Sequence, residues 1–354
     1  MRPETEADLA AMIRAADAPL TPVGGGTRLQ PGEGQSARLD LSGLSGVTLY
    51  EPAALTLVVR AGTPLAEVQA LLASEGQMLG FEPDARPGST IGGVAASNAS
   101  GPRRLQLGAC RDAMLGLRGV TGQGEVIRNG GRVMKNVTGY DLVKLMAGSR
   151  GQLGVLTEIA FRTAPLPQAT ATLALPDLDA AQAVQAGTAA LTGPWDVSGA
   201  GWLPGRGALI RLEGLEGSVA IRRAALSARL AAFGRVTEAD AGCWQDMVPR
   251  AAPGDLWRIL CRPSEAPALL ASLPQPLALD WGGALIWVAL PAGTVPALPP
   301  WSGHASRVTG SAPLTLPAPD PIVARLNASL RERFDPRAIL ASREPCRPIS
   351  PPSS

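Results

Sequence analysis

Residues Pro22–Thr27 read PVGGGT and follow the short apolar stretch Ala18–Leu20. Three consecutive glycines remove every β-carbon from a short length of backbone, at the highest conformational-entropy cost of any residue type. Such a stretch is typical of places where another group must come close to the main chain. The amides of a tight glycine turn can also form a nest for phosphate oxygens. Taken alone, the motif fits a structural turn as well as a ligand loop.

A second segment of small residues changes this balance. Residues Pro87–Gly101 read PGSTIGGVAASNASG and consist almost wholly of small side chains. A backbone packed tightly against something flat or charged has a reason for this composition. Together the two segments favour a ligand-binding interpretation. Gly92–Ala96 alone also fits the start of a tightly packed helix.

The two common phosphate-binding signatures are absent from the sequence. No GxGxxG fingerprint occurs, because the sixth position counted from Gly24 is Leu29. A Walker A loop needs Gly-Lys followed by Ser or Thr, and neither lysine, Lys135 or Lys144, follows a glycine. The sequence therefore argues against both of these nucleotide-binding classes.

Composition limits the remaining classes of function. A chain of 354 residues predicts two domains. A net charge of +2 and 4% aromatic residues argue against a nucleic-acid partner. The four scattered cysteines form no CxxC pair, which argues against a disulfide framework or a metal cluster. The single histidine, His304, excludes an HExxH site and a Ser-His-Asp centre in the N-terminal half.

The N-terminus gives no sign of export or membrane insertion. MRPETEADLA carries acids where a secretory signal is basic and then apolar. No uninterrupted apolar run approaches the length of about 18 residues that a membrane helix needs. We therefore expect a soluble, cytoplasmic protein.

The N-terminal half predicts short strands between a few helices. Thr5–Ala16 has helical apolar spacing, and Thr63 with Pro64 predicts the start of a second helix that ends at Gly76. Ala37–Ser42, Val47–Pro52 and Leu55–Gly62 are short runs typical of strands.

Two further patterns complete this half. A hairpin is predicted with its turn at Thr121–Gly124. The sequence GYDLVKLM that ends at Met146 favours a helix, and a strand is predicted at Val155–Thr163.

The composition shifts after Pro165 toward Ala, Leu, Pro and Trp. Strand and helix patterns alternate there, which predicts an α+β domain with an antiparallel sheet, with the ferredoxin-like type as a candidate. We place domains at 1–164 and 165–342, followed by a proline-rich tail at 343–354. All seven tryptophans lie in the second domain, where we expect core anchors and some interface residues.

The chain resembles a known family in four ordered segments: Thr21–Leu29, Pro87–Arg104, Arg111–Thr163 and Arg333–Leu340. They are similar to the FAD-binding domain of the vanillyl-alcohol oxidase superfamily, the p-cresol methylhydroxylase type. Within it, the chain is most similar to the GlcE family of bacterial glycolate oxidase subunits. The resemblance implies a two-subdomain FAD-binding domain followed by a smaller α+β cap domain with an antiparallel sheet.

The resemblance also implies an extended FAD held by three segments. The glycine turn would give amides to the pyrophosphate, the second segment would line the other side of the cofactor, and Gly148–Gly154 would pass the flavin end or close the cleft. Since no histidine precedes His304, the FAD is expected to be noncovalent; Cys110 is better explained as a buried small residue. The implied contacts are Val23, Gly24, Gly25, Gly26, Thr27, Pro87, Gly88, Ser89, Thr90, Gly92, Gly93, Ser97, Asn98, Gly148, Gly151, Gly154 and Val155.

Catalytic residues are not clear from the sequence. Oxidation of a 2-hydroxy acid asks for a carboxylate anchor and a base, yet arginine is too abundant here for any one to stand out. Weak candidates are Lys135, Tyr140 and His304. For each of these a structural role is an equal or better explanation: Lys135 as a solvated cation, Tyr140 beside a helix cap at Asp141, and His304 as a hydrogen-bonded structural residue.

The resemblance implies partners: a GlcD-like flavoprotein, a GlcF-like iron–sulfur protein and a small 2-hydroxy acid such as glycolate. Membrane association would then be peripheral at most, at the inner membrane and through the complex. Two alternatives stay open. The chain could be a self-contained FAD-dependent dehydrogenase of another 2-hydroxy acid, such as lactate, or of a sugar lactone. It could also be a flavin-free scaffolding subunit.

Overall fold

The computed structural model describes residues 1–29, 36–131, 140–313 and 321–340. Lys135 and the tail at 343–354 lie outside the described residues. The described chain forms two compact units. Unit 1 contains Met1–Ser100, Gly108–Leu166 and residues 321–340, and unit 2 contains Gly101–Leu107 and residues 167–313.

The secondary structure is mixed α and β. The helices are α1 (Glu6–Ala15), α2 (Leu65–Ser74), α3 (Ile91–Ser97), α4 (Arg104–Leu107), α5 (Cys110–Ala113), α6 (Leu142–Met146), α7 (Ala180–Leu191), α8 (Glu216–Leu230), α9 (Ala266–Ala271) and α10 (Pro321–Phe334). The strands are β1 (Leu20–Val23), β2 (Ala37–Asp40), β3 (Val47–Glu51), β4 (Thr56–Arg60), β5 (Gln77–Met78), β6 (Met114–Val120), β7 (Val126–Gly130), β8 (Val155–Arg162), β9 (Ala164–Pro165), β10 (Ala169–Leu175), β11 (Val197–Leu203), β12 (Gly207–Gly214), β13 (Thr237–Glu238), β14 (Asp255–Leu260), β15 (Ala278–Asp280), β16 (Leu285–Leu290) and β17 (His304–Thr309).

Unit 1 is built around a five-stranded antiparallel sheet in the order β3-β4-β8-β6-β7. Its strands alternate, so that Leu57, Val59, Ile159 and Phe161 share one face and are fully buried. Residues of α2, α3, α5 and α6 form one core cluster with them. The sheet positions β8, which is one of its strands, and α3, which packs against it; residues of both elements line the groove described below.

A smaller layer of unit 1 carries the glycine turn. β1 pairs in parallel with β2, and the turn follows β1 directly. α1 starts at a capping box in which the Thr5 hydroxyl accepts from the Asp8 amide. Leu9 and Ile13 of α1 pack with Leu20 and Leu39 of these two strands. The glycine turn therefore follows directly after a buried strand whose position is fixed by packing.

The C-terminal residues 321–340 belong to unit 1, which corrects their assignment to the 165–342 domain. Leu340 forms a parallel bridge with Leu20, and the Leu20 amide donates to the Ile339 carbonyl at 2.7 Å. The buried Asp335 carboxylate accepts from the Ile339 and Leu340 amides at 2.9 and 2.7 Å. The chain end thus extends the β1–β2 layer, a long-range pairing that local sequence patterns do not encode.

Unit 2 contains an eight-stranded antiparallel sheet in the order β13-β10-β12-β11-β15-β16-β14-β17. Its first half has the order 4-1-3-2 of a βαββαβ ferredoxin-like motif, with α7 and α8 as the crossover helices. The second half repeats that strand order in mirror image and joins the first through β11 and β15. The predicted antiparallel sheet is confirmed, and the sheet is twice the size of a single ferredoxin-like motif.

The segment Gly101–Leu107 lies in unit 2, although the sequence placed it in the first domain. Arg103 makes two hydrogen bonds to the Glu213 carboxylate, at 2.9 and 2.8 Å. The Trp281 indole donates to the Gly101 carbonyl at 3.1 Å, and the Arg104 guanidinium lies 4.1 Å from the centre of the Trp281 ring. These polar contacts attach the segment, and the apolar pattern of the sequence carried no sign of them.

Most local predictions of unit 1 are confirmed. α1 lies within the predicted Thr5–Ala16 segment, and β6 and β7 form the hairpin around Thr121–Gly124. The predicted N-cap at Thr63 is wrong by one residue, because α2 begins at Leu65 with Pro64 in the cap position. The Thr63 hydroxyl instead donates to the Arg60 carbonyl at 2.7 Å. Five of the tryptophans are buried as core anchors: Trp202, Trp244, Trp257, Trp281 and Trp287.

We predict that Asp335→Ala loosens the chain end and lowers the free energy of unfolding by about 2–4 kcal/mol, because two buried amides lose a charged acceptor. Hydrogen exchange at the Leu20 amide should accelerate, since its acceptor is the Ile339 carbonyl. Asp177→Ala is the control, because Asp177 and its partner Arg235 are both mostly exposed. Unchanged exchange at Leu20 would contradict the role of Asp335.

A second prediction concerns Glu213. Burial raises the pKa of its carboxyl, but the Arg103 hydrogen bonds and the Arg211 charge outweigh burial and hold the pKa below the usual value. A depressed folded-state pKa stabilises the fold above the unfolded pKa of about 4.3, and this stabilisation is lost as the pH falls through the folded value. Glu213→Gln should therefore cost about 3–5 kcal/mol at pH 7 and flatten the stability loss below pH 5.

The measurement is urea unfolding followed by tryptophan fluorescence, which reports on unit 2 because all seven tryptophans lie there. Glu238→Gln is the matched control, since Glu238 is exposed and pairs with the partly exposed Arg223. Identical acid profiles for wild type and Glu213→Gln would refute the prediction.

Candidate cofactor-binding site

A groove in unit 1 lies among three glycine-containing segments. Its walls are the turn after β1, helix α3 and the loop that leads into β8. The lining residues are Pro22, Val23, Gly24, Gly25, Gly26, Thr27, Arg28, Leu29, Leu41, Thr90, Gly92, Gly93, Ala96, Ser97, Arg150, Gly151, Gly154, Val155 and Leu156.

The glycine turn is bare because it packs on the loop before α3. A β-carbon on Gly25 would lie 1.5 Å from the Gly88 carbonyl oxygen, and one on Gly24 would lie 2.1 Å from the Thr90 hydroxyl oxygen. Gly26 has a φ of +70°, which glycine adopts at least cost. Close contact between two loops thus explains Gly24 and Gly25 without a ligand, and the groove opens beside that contact.

Helix α3 has one face in the core and another on the groove. Thr90 caps its start, with the Gly93 amide donating to the Thr90 hydroxyl. A β-carbon on Gly92 would meet Ala61 at 2.7 Å, so the packed-helix interpretation holds for Gly92. A β-carbon on Gly93 would have no neighbour closer than 3.4 Å. Gly93 therefore keeps groove space open.

The third wall is tied to the end of α3. The Gly148 amide donates to the Ala95 carbonyl at 3.1 Å, and the Arg150 amide to the Ala96 carbonyl at 2.9 Å. Gly151 has a φ of +79°, and a β-carbon on Gly154 would meet the Met146 methyl carbon at 2.8 Å. These contacts fix the loop against the helix on the same side as the groove.

The structure places the predicted cofactor contacts in two groups. Twelve of them line the groove: Val23, Gly24, Gly25, Gly26, Thr27, Thr90, Gly92, Gly93, Ser97, Gly151, Gly154 and Val155. Five lie outside its lining: Pro87, Gly88, Ser89, Asn98 and Gly148. Gly88 contacts the glycine turn instead, and the Asn98 side chain accepts from the Arg111 amide. Contact of any of them with a cofactor stays a prediction.

The catalytic candidates do not come together at the groove. Tyr140 is 89% exposed and outside the lining, and His304 is exposed on β17 of unit 2. Asp141 is the N-cap of α6, accepting from the Lys144 amide. The Lys144 ammonium donates to the Arg111 carbonyl at 2.5 Å, which gives it a structural role.

Other chemistries find little support in the described part of the chain. Cys110 is fully buried, and burial raises the pKa of its thiol far above the usual value, so it suits a core position. In residues 1–29, 36–131, 140–313 and 321–340, no cluster of three His, Cys, Asp or Glu side chains could hold a metal ion. None of the helices in these ranges combines the length and apolarity needed to cross a bilayer.

Sequence reasoning missed the charged part of the groove. Arg28 directly follows the glycine turn, and Arg150 lies between two predicted glycines; both line the groove. Arg28 is bound to Asp84, and the Nε atom of Arg28 is buried with no hydrogen-bond partner among the described residues. Its position beside GGGT was a usable signal, but the abundance of arginine concealed it.

These features fit a nucleotide cofactor. Small residues leave room for a flat or extended molecule, the glycine turn presents main-chain amides, and a buried guanidinium with an unused donor suits an anionic group. The family model for an FAD-binding domain matches residues 1–130. The fold and the site thus define an FAD-binding protein, and FAD is its cofactor.

A full-length relative defines the family further. The chain is 37% identical to glycolate oxidase subunit GlcE of Escherichia coli over 329 residues, which is 87% of this chain and 86% of the relative. It belongs to the GlcE family of glycolate oxidase subunits.

Other relatives match over shorter stretches. Glycolate oxidase subunit GlcD of Bacillus subtilis is 35% identical over 44% of this chain and 34% of its own length. The mitochondrial D-lactate dehydrogenase of Arabidopsis thaliana is 31% identical over 47% of this chain and 30% of its own length. A solved structure of alkyldihydroxyacetonephosphate synthase shares the fold, with a TM-score of 0.69 and 14% identity over 97% of this chain and 76% of that one.

We predict that Gly93→Leu fills the groove without unfolding the chain. A β-carbon fits there, and leucine is a better helix former than glycine. FAD affinity should fall at least about tenfold, since overpacking costs about 1–3 kcal/mol. The checks are the thermal midpoint of the apoprotein and an FAD titration.

Gly217→Leu is the matched control for this variant. Gly217 is an exposed glycine of helix α8 with open space at its β-carbon position. Wild-type FAD affinity in Gly93→Leu would show that the cofactor does not use this part of the groove.

Proposed function

We propose that this chain is the FAD-carrying GlcE-type subunit of a complex that oxidises glycolate to glyoxylate. Its electrons pass through a GlcD-like flavoprotein and a GlcF-like iron–sulfur protein. The observation that carries the proposal is the match to E. coli GlcE along most of both chains, together with the groove in unit 1. The assembly is placed in the cytoplasm, with peripheral attachment to the inner membrane at most.

The residues that line the groove hold the cofactor in this proposal. The Val23–Thr27 turn gives amides to the diphosphate, Gly93 and Ser97 leave space along α3, and the loop through Gly151 forms the far wall. Bound FAD supplies a two-electron acceptor for hydride from the substrate carbon. The chain itself binds and orients the flavin, and its glycines leave the groove free of side chains that would block the flavin.

The described residues that line the groove include no side chain that takes up a proton at neutral pH. Among its described lining residues only Arg28 and Arg150 ionise, and arginine is always protonated in proteins. Oxidation of a hydroxy acid needs a base for the hydroxyl proton. Because the described lining offers none, the proposal places the base in a site that is completed within the complex.

The second candidate is a self-contained FAD-dependent dehydrogenase of a 2-hydroxy acid such as lactate. The matches to D-lactate dehydrogenases favour it, but the chain spans less than half the length of those relatives. The third candidate function is a flavin-free scaffolding subunit, and it requires that the groove binds no FAD.

The test compares the isolated chain with the coexpressed complex. The isolated chain should be yellow, release FAD on denaturation and turn over glycolate at less than about a hundredth of the rate of the complex, measured with an artificial electron acceptor. That ratio reflects the loss of general-base catalysis, worth about 10²–10⁴-fold. Full activity of the isolated chain would refute the shared site, and turnover of D-lactate alone would favour the second candidate. A colourless, folded chain that does not take up added FAD would favour the scaffold.

A further inference from the structure

Arg28 is a buried cation with one donor that no described residue accepts. Its side chain is only 8% exposed. Its two terminal nitrogens donate to the Asp84 carboxylate at 2.8 Å and to the Asp84 carbonyl at 2.7 Å. The remaining Nε atom is buried and has no hydrogen-bond partner in the described part of the chain. A buried charged donor without an acceptor is costly, so this position is suited to an acceptor from outside the chain.

The guanidinium is held in a fixed orientation. Asp84 also pairs with Arg86, and Arg86 donates to the Thr27 carbonyl at 3.0 Å. One carboxylate thus faces two guanidiniums, and this trio keeps a net positive charge. Burial lowers the pKa of Arg28 and Asp84 raises it, but arginine stays protonated at any physiological pH. Arg28 therefore presents a permanent, pre-oriented charge.

The main chain around Arg28 is polarised in the same sense. The carbonyls of Thr27 and Arg28 accept from Arg86 and Arg150. Guanidiniums thus lie at the negative ends of these two peptide units, which gives the turn a positive potential. A strongly negative ligand that only accepts hydrogen bonds suits such a turn, and a diphosphate has this chemistry.

We propose that Arg28 donates through Nε to a phosphate oxygen of the FAD diphosphate, with Asp84 and Arg86 as its positioning residues. The inference rests on the proposed position of FAD in the groove. It adds a side-chain contact to a turn whose sequence suggested main-chain binding alone.

Arg28→Gln in the full chain tests the proposal, with Arg38→Gln as the control. Arg38 is exposed, and its hydrogen bond to a described residue is a long one, to the Gly24 carbonyl at 3.4 Å. Apoprotein is titrated with FAD and, separately, with ADP, which carries the diphosphate without the flavin. Arg28→Gln should weaken both ligands by the same factor, about 10- to 100-fold, the worth of a charge-assisted hydrogen bond. Arg38→Gln should change either affinity less than about threefold.

Arg28→Lys provides a second variant that keeps the charge and loses Nε. It should show a smaller loss than Arg28→Gln and shift the phosphorus resonances of bound FAD, and it decides the question if Arg28→Gln does not fold. Weaker FAD binding with unchanged ADP binding would overturn the proposal, because Arg28 would then contact the flavin. Unchanged affinity for both ligands would also overturn it. Failure of the wild-type chain to bind any FAD would instead refute the proposed function.

Discussion

Unit 1 depends on the contact between the glycine turn and the loop that starts α3. The two backbones come so close that neither Gly24 nor Gly25 has room for a β-carbon. That contact sets the distance between β1 and α3, and the groove lies along its edge. Because β1 belongs to the small layer and α3 packs against the five-stranded sheet, the same contact joins both cores of the unit. A cofactor in the groove would therefore lie against the contact between the glycine turn and the loop before α3, which forms without any ligand.

Local patterns revealed much of the fold because local interactions determine those elements. A capping residue sets the start of α1, and apolar alternation with a tight turn sets the β6–β7 hairpin. The failures share a physical cause. The return of residues 321–340 to β1 and the transfer of Gly101–Leu107 to unit 2 rest on hydrogen bonds between residues far apart in sequence. The Leu20 amide makes such a bond to the Ile339 carbonyl, and Arg103 makes two to Glu213; nothing in the sequence distinguishes Leu20 or Arg103 from other residues of the same type.

The candidate site was likewise predictable in part from the sequence. Glycine marked the three walls of the groove, because close approach and positive φ both select for it. The glycine pattern could not show why each position lacks a side chain. At Gly25 and Gly92 a β-carbon would clash with other residues of the protein, whereas at Gly93 it would enter the groove. Arg28 was hidden for a different reason. In a chain whose cations are nearly all arginine, only burial and an unused donor distinguish one arginine from another.

The charges around the turn also indicate which steps a GlcE-type subunit can perform, namely cofactor binding as opposed to proton transfer. Arginine binds anions permanently, but it cannot exchange a proton at neutral pH. A groove whose ionisable lining residues, among those described, are all arginines is therefore suited to hold a diphosphate and poorly suited to acid–base chemistry. The sequence shows the same bias, with a single histidine and two lysines in 354 residues. A chain of this composition can fix a flavin firmly and leave the proton transfer to groups supplied from outside the groove.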